Sequence, residues 1–233
     1  MSQTQTQAGA AQLDEGLRKY MLGVYNYMAL GVAFTGIVAL FVASQPALLE
    51  AIALSNFRWV LFIGILGLGF FAPRVMMTGS MAMAHGAFWV YAALWGALMS
   101  PMFLLYTGDS MIRVFFITAA TFAGVSLYGY TTKRNLAPLG AFFMMATIGI
   151  LIALLVNVFL LQSELFHLGL SIVVVLVFSG LTAYETQMIK NMYYAGDSSE
   201  VTSRKSIFGA FALYGSFVTL FVWLLSIFGV ARE

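Results

Sequence analysis

The residues able to do chemistry in this chain are few, and Glu185 leads them. It stands in Leu181-Thr182-Ala183-Tyr184-Glu185-Thr186-Gln187-Met188-Ile189-Lys190, near one end of a long apolar run. An ionisable group at membrane depth is costly, so by default it marks an ion path, a proton relay or a buried pair. Lys190 follows five residues later, about 7–8 Å of helical rise, which places Glu185 just inside the apolar layer. Arg74 closes an earlier apolar run on the same side and is its expected partner, with an interior ion pair or a weak cation-binding role as the associated chemistry. A carboxylate that only reaches back to the headgroups is the bland alternative. His85 opens another run and could change charge near neutral pH, though a plain interfacial histidine is the commoner case. Asp109 and Arg113, four apart, are expected to pair across one helical turn. Asn157, within the fifth run, is expected to bond a neighbouring helix, and Pro101 to kink the third.

Other chemistries lack their residues. The chain has no cysteine, so thiolate catalysis, disulfides and Cys-based metal sites are excluded. His85 and His167 match no zinc spacing. HExxH, GxSxG and GxxxxGK[ST] patterns are absent, and no carboxylate pair is spaced for acid–base work. The expectation is a protein that is not an enzyme and holds no resident cofactor, with calcium at most a transient ion.

The elements that must position these residues follow from composition. Of 233 residues, 61% are hydrophobic and 9% charged, where a soluble domain carries about 25% charged residues. Eleven Lys+Arg against nine Asp+Glu leave a net charge of +2, too little for a nucleic-acid-binding surface. Crossing about 30 Å of hydrocarbon takes roughly 20 apolar residues. Seven runs qualify: Met21–Ala43, Phe57–Pro73, Ala84–Tyr106, Met111–Tyr130, Ala137–Leu161, Leu168–Ile189 and Ile207–Val230. They are continuously apolar rather than alternating, which excludes a barrel. The sequence predicts a disordered polar tail over 1–16 and a single helical transmembrane domain over 17–233, embedded in a lipid bilayer. With the N-terminus in the cytoplasm, inner segments hold Arg18, Lys19, Arg74, Lys133, Arg134, Lys190, Arg204 and Lys205, and outer ones Arg58 and Arg113. That asymmetry is the positive-inside pattern.

Four stretches carry a resemblance to a known family. They are Leu127-Tyr128-Gly129-Tyr130-Thr131-Thr132-Lys133-Arg134-Asn135-Leu136, Leu98-Met99-Ser100-Pro101-Met102-Phe103, Gly180-Leu181-Thr182-Ala183-Tyr184-Glu185-Thr186-Gln187 and Gly209-Ala210-Phe211-Ala212-Leu213-Tyr214. From about Leu17 onward the chain resembles the Bax inhibitor-1/YccA-like membrane proteins, most of all their bacterial YccA-type branch. The resemblance implies an all-α polytopic fold of about seven helices, six spans surrounding a central C-terminal helix. It also implies that both chain ends are cytoplasmic, so that the last helix stops short and Arg232 stays inside. A calcium leak is associated with the family. Two aspartates share a proton there and an arginine of the second helix latches the closed state, the position of Arg74.

Here the first aspartate is Glu185, the second is Ser216, and the asparagine that usually follows is Thr219. The resemblance therefore implies a calcium leak channel or ion-homeostasis protein of the cell inner membrane, with a degenerate pH-sensing site of Glu185, Arg74, Ser216 and Thr219. One carboxylate beside one arginine should stay charged and give weak pH dependence. The alternative it implies is a regulatory protein that modulates an FtsH-type membrane protease, engaged through the N-terminal tail.

Overall fold

A computed structural model describes the backbone of residues 2–232 and the side chains of residues 15–232. The helices are α1 (Ser2–Ala43), α2 (Pro46–Leu54), α3 (Phe57–Thr78), α4 (Met81–Met99), α5 (Met102–Leu105), α6 (Gly108–Thr131), α7 (Leu139–Val156), α8 (Glu164–Asn191) and α9 (Ser199–Phe228), with a π-helical turn at Asn157–Leu161 after α7. Among the described residues seven spans are long and apolar enough to cross a membrane, and each overlaps one of the expected runs. The C-terminal helix is the most enclosed: 56% of its apolar window is buried, against at most 33% in any other span. The chain is thus an all-helical polytopic membrane protein.

The backbone of α1 runs back to Ser2, through the segment expected to be a disordered tail. Alanine and glutamine are good helix formers, and extending a formed helix needs no new nucleus. The side chains before Glu15 lie outside the described residues. The link between the first two spans folds into α2. Pro46 sits at its first positions, where a missing N–H costs nothing. Ile52 of α2 packs with Val42 and Leu61.

Two compact units can be described, residues 1–101 with 189–214, and residues 102–188 with 215–233. In the first, Thr35 makes a buried polar node. Its hydroxyl lies 2.6 Å from that of Tyr214, 2.9 Å from the Gly31 carbonyl and 3.1 Å from the Ala92 carbonyl. Each hydroxyl has one proton, so Tyr214 donates to Thr35, and Thr35 shares its single proton between the two carbonyls. Gly31 lets this happen, since a Cβ there would stand 2.5 Å from the Phe88 ring. Ser100 ends α4 by donating to the Ala97 carbonyl, and Pro101 follows in the turn before α5. Proline cannot continue the hydrogen-bond ladder, so the helix is interrupted at Ser100–Pro101 within a span that runs from Met81 to Leu105.

In the second unit, Phe217 of α9 meets Phe115 and Phe122 of α6 at 5.8 and 5.5 Å between ring centroids. Asn157 departs from expectation. Its bonds among the described residues are local and end its own helix: its side-chain carbonyl accepts from the Ser163 N–H at 3.1 Å and its backbone carbonyl from the Gln162 N–H at 2.7 Å. Gln162 is left-handed, φ 47°, the conformation that closes helices. Asp109 and Arg113 do not pair either. Among the described residues the salt bridges are Arg204–Glu200 and Lys205–Asp197. Both Asp109 and Arg113 are exposed, where a pair gains little against its entropy cost, and Asp109 sits in the favourable first turn of α6.

The C-terminus overturns the expectation of a short last helix. At 30 residues α9 is about 45 Å long, more than the apolar layer requires. Beyond it Ala231 bridges to Tyr106, Thr107 N–H donates to the Val230 carbonyl at 3.1 Å, and Arg232 donates to the Phe103 carbonyl at 2.9 Å. Arg232 is thus tied to the link before α6, the link read as outer, and not to the side that holds Lys133. The sequence has no cysteine, so single cysteines report sidedness directly. Ala231→Cys and Gly108→Cys are expected to react with a membrane-impermeant maleimide from one side, and Lys133→Cys from the other. Labelling of positions 231 and 133 from the same side would refute the full crossing.

Candidate functional site

Four consecutive residues of α8 point in four directions, because each step turns a helix by about 100°. Tyr184 faces α7: its ring lies 6.2 Å from Phe143, and Gly140 leaves room for its hydroxyl. Thr186 faces α6 and shares a 2.9 Å hydrogen bond with Ser126 while donating to the Thr182 carbonyl. Gln187 faces the link between α6 and α7. Its side-chain carbonyl accepts from the Leu136 N–H at 2.7 Å and its amide donates to the Arg134 carbonyl at 2.8 Å. Glu185 faces α9, where the Ser216 hydroxyl donates to its Oε2 at 2.6 Å. Ser216 is buried and Glu185 half-buried.

The approach of α6 that makes this possible depends on Gly129. A Cβ there would stand 2.2 Å from the Ala183 carbonyl oxygen and 2.8 Å from the Ala183 Cα. The partner is backbone, which cannot swing aside. One glycine thus sets the distance at which Ser126 reaches Thr186. Small residues serve this end where helices meet in lipid.

Of the expected site residues, the structure brings together Glu185 and Ser216. Thr219, half-buried one turn later, is not among the groups bonded to Glu185 in the described residues. His85 is half-buried in the first unit, its Nδ1 2.6 Å from the Tyr27 hydroxyl, and so has a hydrogen-bonded aromatic neighbour. Arg74 is exposed, near the end of α3. It belongs to the first unit and Glu185 to the second, so their pairing is taken up below as a proposal. Among the described residues no group of three or more His, Cys, Asp or Glu side chains could hold a metal. Reading the sequence alone missed Gln187 and the Ser126–Thr186 bond. The signal available was the joint presence of the Thr-Thr-Lys-Arg-Asn and Tyr-Glu-Thr-Gln stretches, which prove to be bonded to each other.

Seven long apolar helices among the described residues define the class, an integral polytopic membrane protein. Residues 17–233 match the family described as inhibitor of apoptosis-promoting Bax1. The chain is 40% identical over 220 residues to the inner membrane protein YbhL of Escherichia coli, covering 93% of this chain and 94% of that one. It is 41% identical over 220 residues to the uncharacterized protein RP147 of Rickettsia prowazekii, covering 94% and 93%. It is also 40% identical over 232 residues to an uncharacterized protein of Caulobacter vibrioides, covering 95% and 92%. The chain belongs to the Bax inhibitor-1 family.

Proposed function

We propose that this chain is a slow calcium leak of a bacterial inner membrane, its N-terminus cytoplasmic, in which Glu185 is the acid that a passing ion meets. The observation that carries the reading is the carboxylate itself, half-buried in a spanning helix and held by Ser216 of α9. Such a group is retained at a cost and is a functional candidate for that reason. Calcium takes six to eight oxygens, more than one carboxylate and the Ser216 hydroxyl supply. The ion therefore keeps most of its water, and residence is short. Arg74 acts as the counter-charge of the closed state. The likeness to YbhL, an inner membrane protein by its name, supports the location.

The test is calcium entry into liposomes containing the purified protein, with Glu185→Gln alongside, between about pH 6 and 8, where coupled carboxylates would titrate. Flux is expected in the unsubstituted protein and to fall at least about tenfold in the variant, a rise of about 1.4 kcal/mol in the barrier. No flux above empty liposomes at any pH would overturn the reading. Regulation of an FtsH-type membrane protease would then stand in its place, and loss of that partner on deleting residues 2–16 would identify the contact.

A further inference from the structure

Of the three adjacent basic pairs of this chain, Arg18–Lys19, Lys133–Arg134 and Arg204–Lys205, the last two are treated differently by the fold. Arg204 and Lys205 are each neutralised, by Glu200 at 2.8 Å and Asp197 at 2.5 Å. Lys133 and Arg134 are exposed, and among the described residues neither has an acidic group within 4 Å. Yet the link that carries them is held firmly. Gln187 clamps it from α8 through the Leu136 N–H and the Arg134 carbonyl. Within it, Arg134 N–H donates to Thr132 Oγ1 at 3.3 Å and Ala137 N–H to Asn135 Oδ1 at 3.0 Å. Ordering a surface link and leaving two cations on it without counter-ions fits a site whose anion comes from outside the protein.

The helix that follows says which anion. The span Leu139–Leu161 is the most apolar of the seven, and only 6% of its window is buried. Its first turns expose Leu139, Phe142, Met144 and Met145, and Leu127 and Tyr128 are exposed on α6 just before the link. Such a surface is covered by acyl chains. We infer that the α6–α7 link and the foot of α7 form a binding site for an anionic phospholipid, its phosphate on Lys133 and Arg134 and its chains along α7. The two cations stand at the end of α6, where the helix leaves the apolar layer, and headgroup phosphates lie at that level. Guanidinium adds a planar, two-pronged donor for phosphate beside the ammonium point charge.

Because the chain has no cysteine, one bimane label can be placed at Leu139→Cys and another, as control, at Leu160→Cys near the far end of the same span. The proteins are reconstituted in equimolar phosphatidylglycerol and phosphatidylcholine, with one lipid or the other dibrominated to quench the label. At position 139 brominated phosphatidylglycerol is expected to quench as if enriched at least about fivefold, the effect of one basic group near the surface. At position 160 the two lipids should quench alike. Lys133→Gln with Arg134→Gln, both exposed and conservative in size, should abolish the preference at 139, while Lys133→Arg keeps it. Equal quenching by both lipids at 139, or a preference that survives the double substitution, would overturn the site. So would the absence of quenching by either lipid, which would mean that protein, such as a second copy, covers this face of α7.

Discussion

Replacing Gly129 with alanine is expected to separate α6 from α8 and to lower the melting temperature more than any other single methyl addition in the second unit. The new Cβ would meet the Ala183 carbonyl oxygen, carbon and Cα, all between 2.2 and 2.8 Å away. Overpacking a filled core typically costs about 1–3 kcal/mol through side-chain rearrangement. Here no side chain can give way, so the helices themselves must move, and the cost should reach or exceed the top of that range. The Ser126–Thr186 bond would break with it. Gly124→Ala on the same helix is the control. Nothing lies within 4 Å of a Cβ there, and alanine in a helix interior is favoured over glycine by about 0.5–1 kcal/mol. Thermal unfolding in detergent, followed by light scattering or a dye, should rank the three proteins Gly124→Ala at or above the parent and Gly129→Ala far below. A Gly129→Ala protein that melts with the parent would refute the close crossing.

Gln187→Leu is the second large effect. The substitution retains bulk at a buried position but removes both ends of the clamp, stranding the Leu136 N–H and the Arg134 carbonyl. A buried group left unsatisfied costs about 1–3 kcal/mol. These two lie beside the headgroups and can recover water by opening the link, so the loss should appear as local opening more than as global unfolding. Lys133 and Arg134 make that opening measurable, because trypsin cuts after both and must first bind an extended segment. Cleavage between α6 and α7 is expected to accelerate at least about tenfold in Gln187→Leu, which corresponds to about 1.4 kcal/mol of opening free energy when cleavage is slow. Exchange of the Leu136 amide should accelerate in parallel. Gln187→Glu keeps the acceptor and loses the donor, and should fall between the two. Equal cleavage in all three would show that the link is not held by this residue.

How much of this was legible in the sequence depended on the range of the interaction. The seven spans could be read because lipid imposes a length and a polarity on every stretch independently, so Phe57 and Leu161 mark boundaries without knowledge of their neighbours. Helix α2 could not, because its two buried residues, Leu49 and Ile52, make too short a pattern within a link. Asn157 was misread for a related reason. Polar residues in a span usually bond across helices, but the chain turns only a few residues later, and local backbone groups compete for the same side chain. Glu185 stood out by its charge alone. That its partner is Ser216, 31 residues away, entered through the family resemblance, and the structure places the two 2.6 Å apart. Gln187 carries no charge and gave no such signal, although it holds more backbone than any other side chain near the site. The tie of the C-terminus to Tyr106 gave no signal either, since it involves backbone groups that no side-chain pattern announces.

The two compact units share an incompleteness with a consequence for biosynthesis. Each contains a long continuous stretch and a second, later piece, and both later pieces include part of α9. The most enclosed helix is therefore the last to leave the ribosome. Until it does, Phe88 and Gly31 lack Tyr214, Phe122 lacks Phe217, and Glu185 lacks the hydroxyl that holds it. Until then each unit stands in the bilayer without its part of α9. Truncated chains from stalled translation would present that unfinished interior to the membrane, a distinctive lesion for quality control to recognise, and one that a single final helix removes from both halves at once.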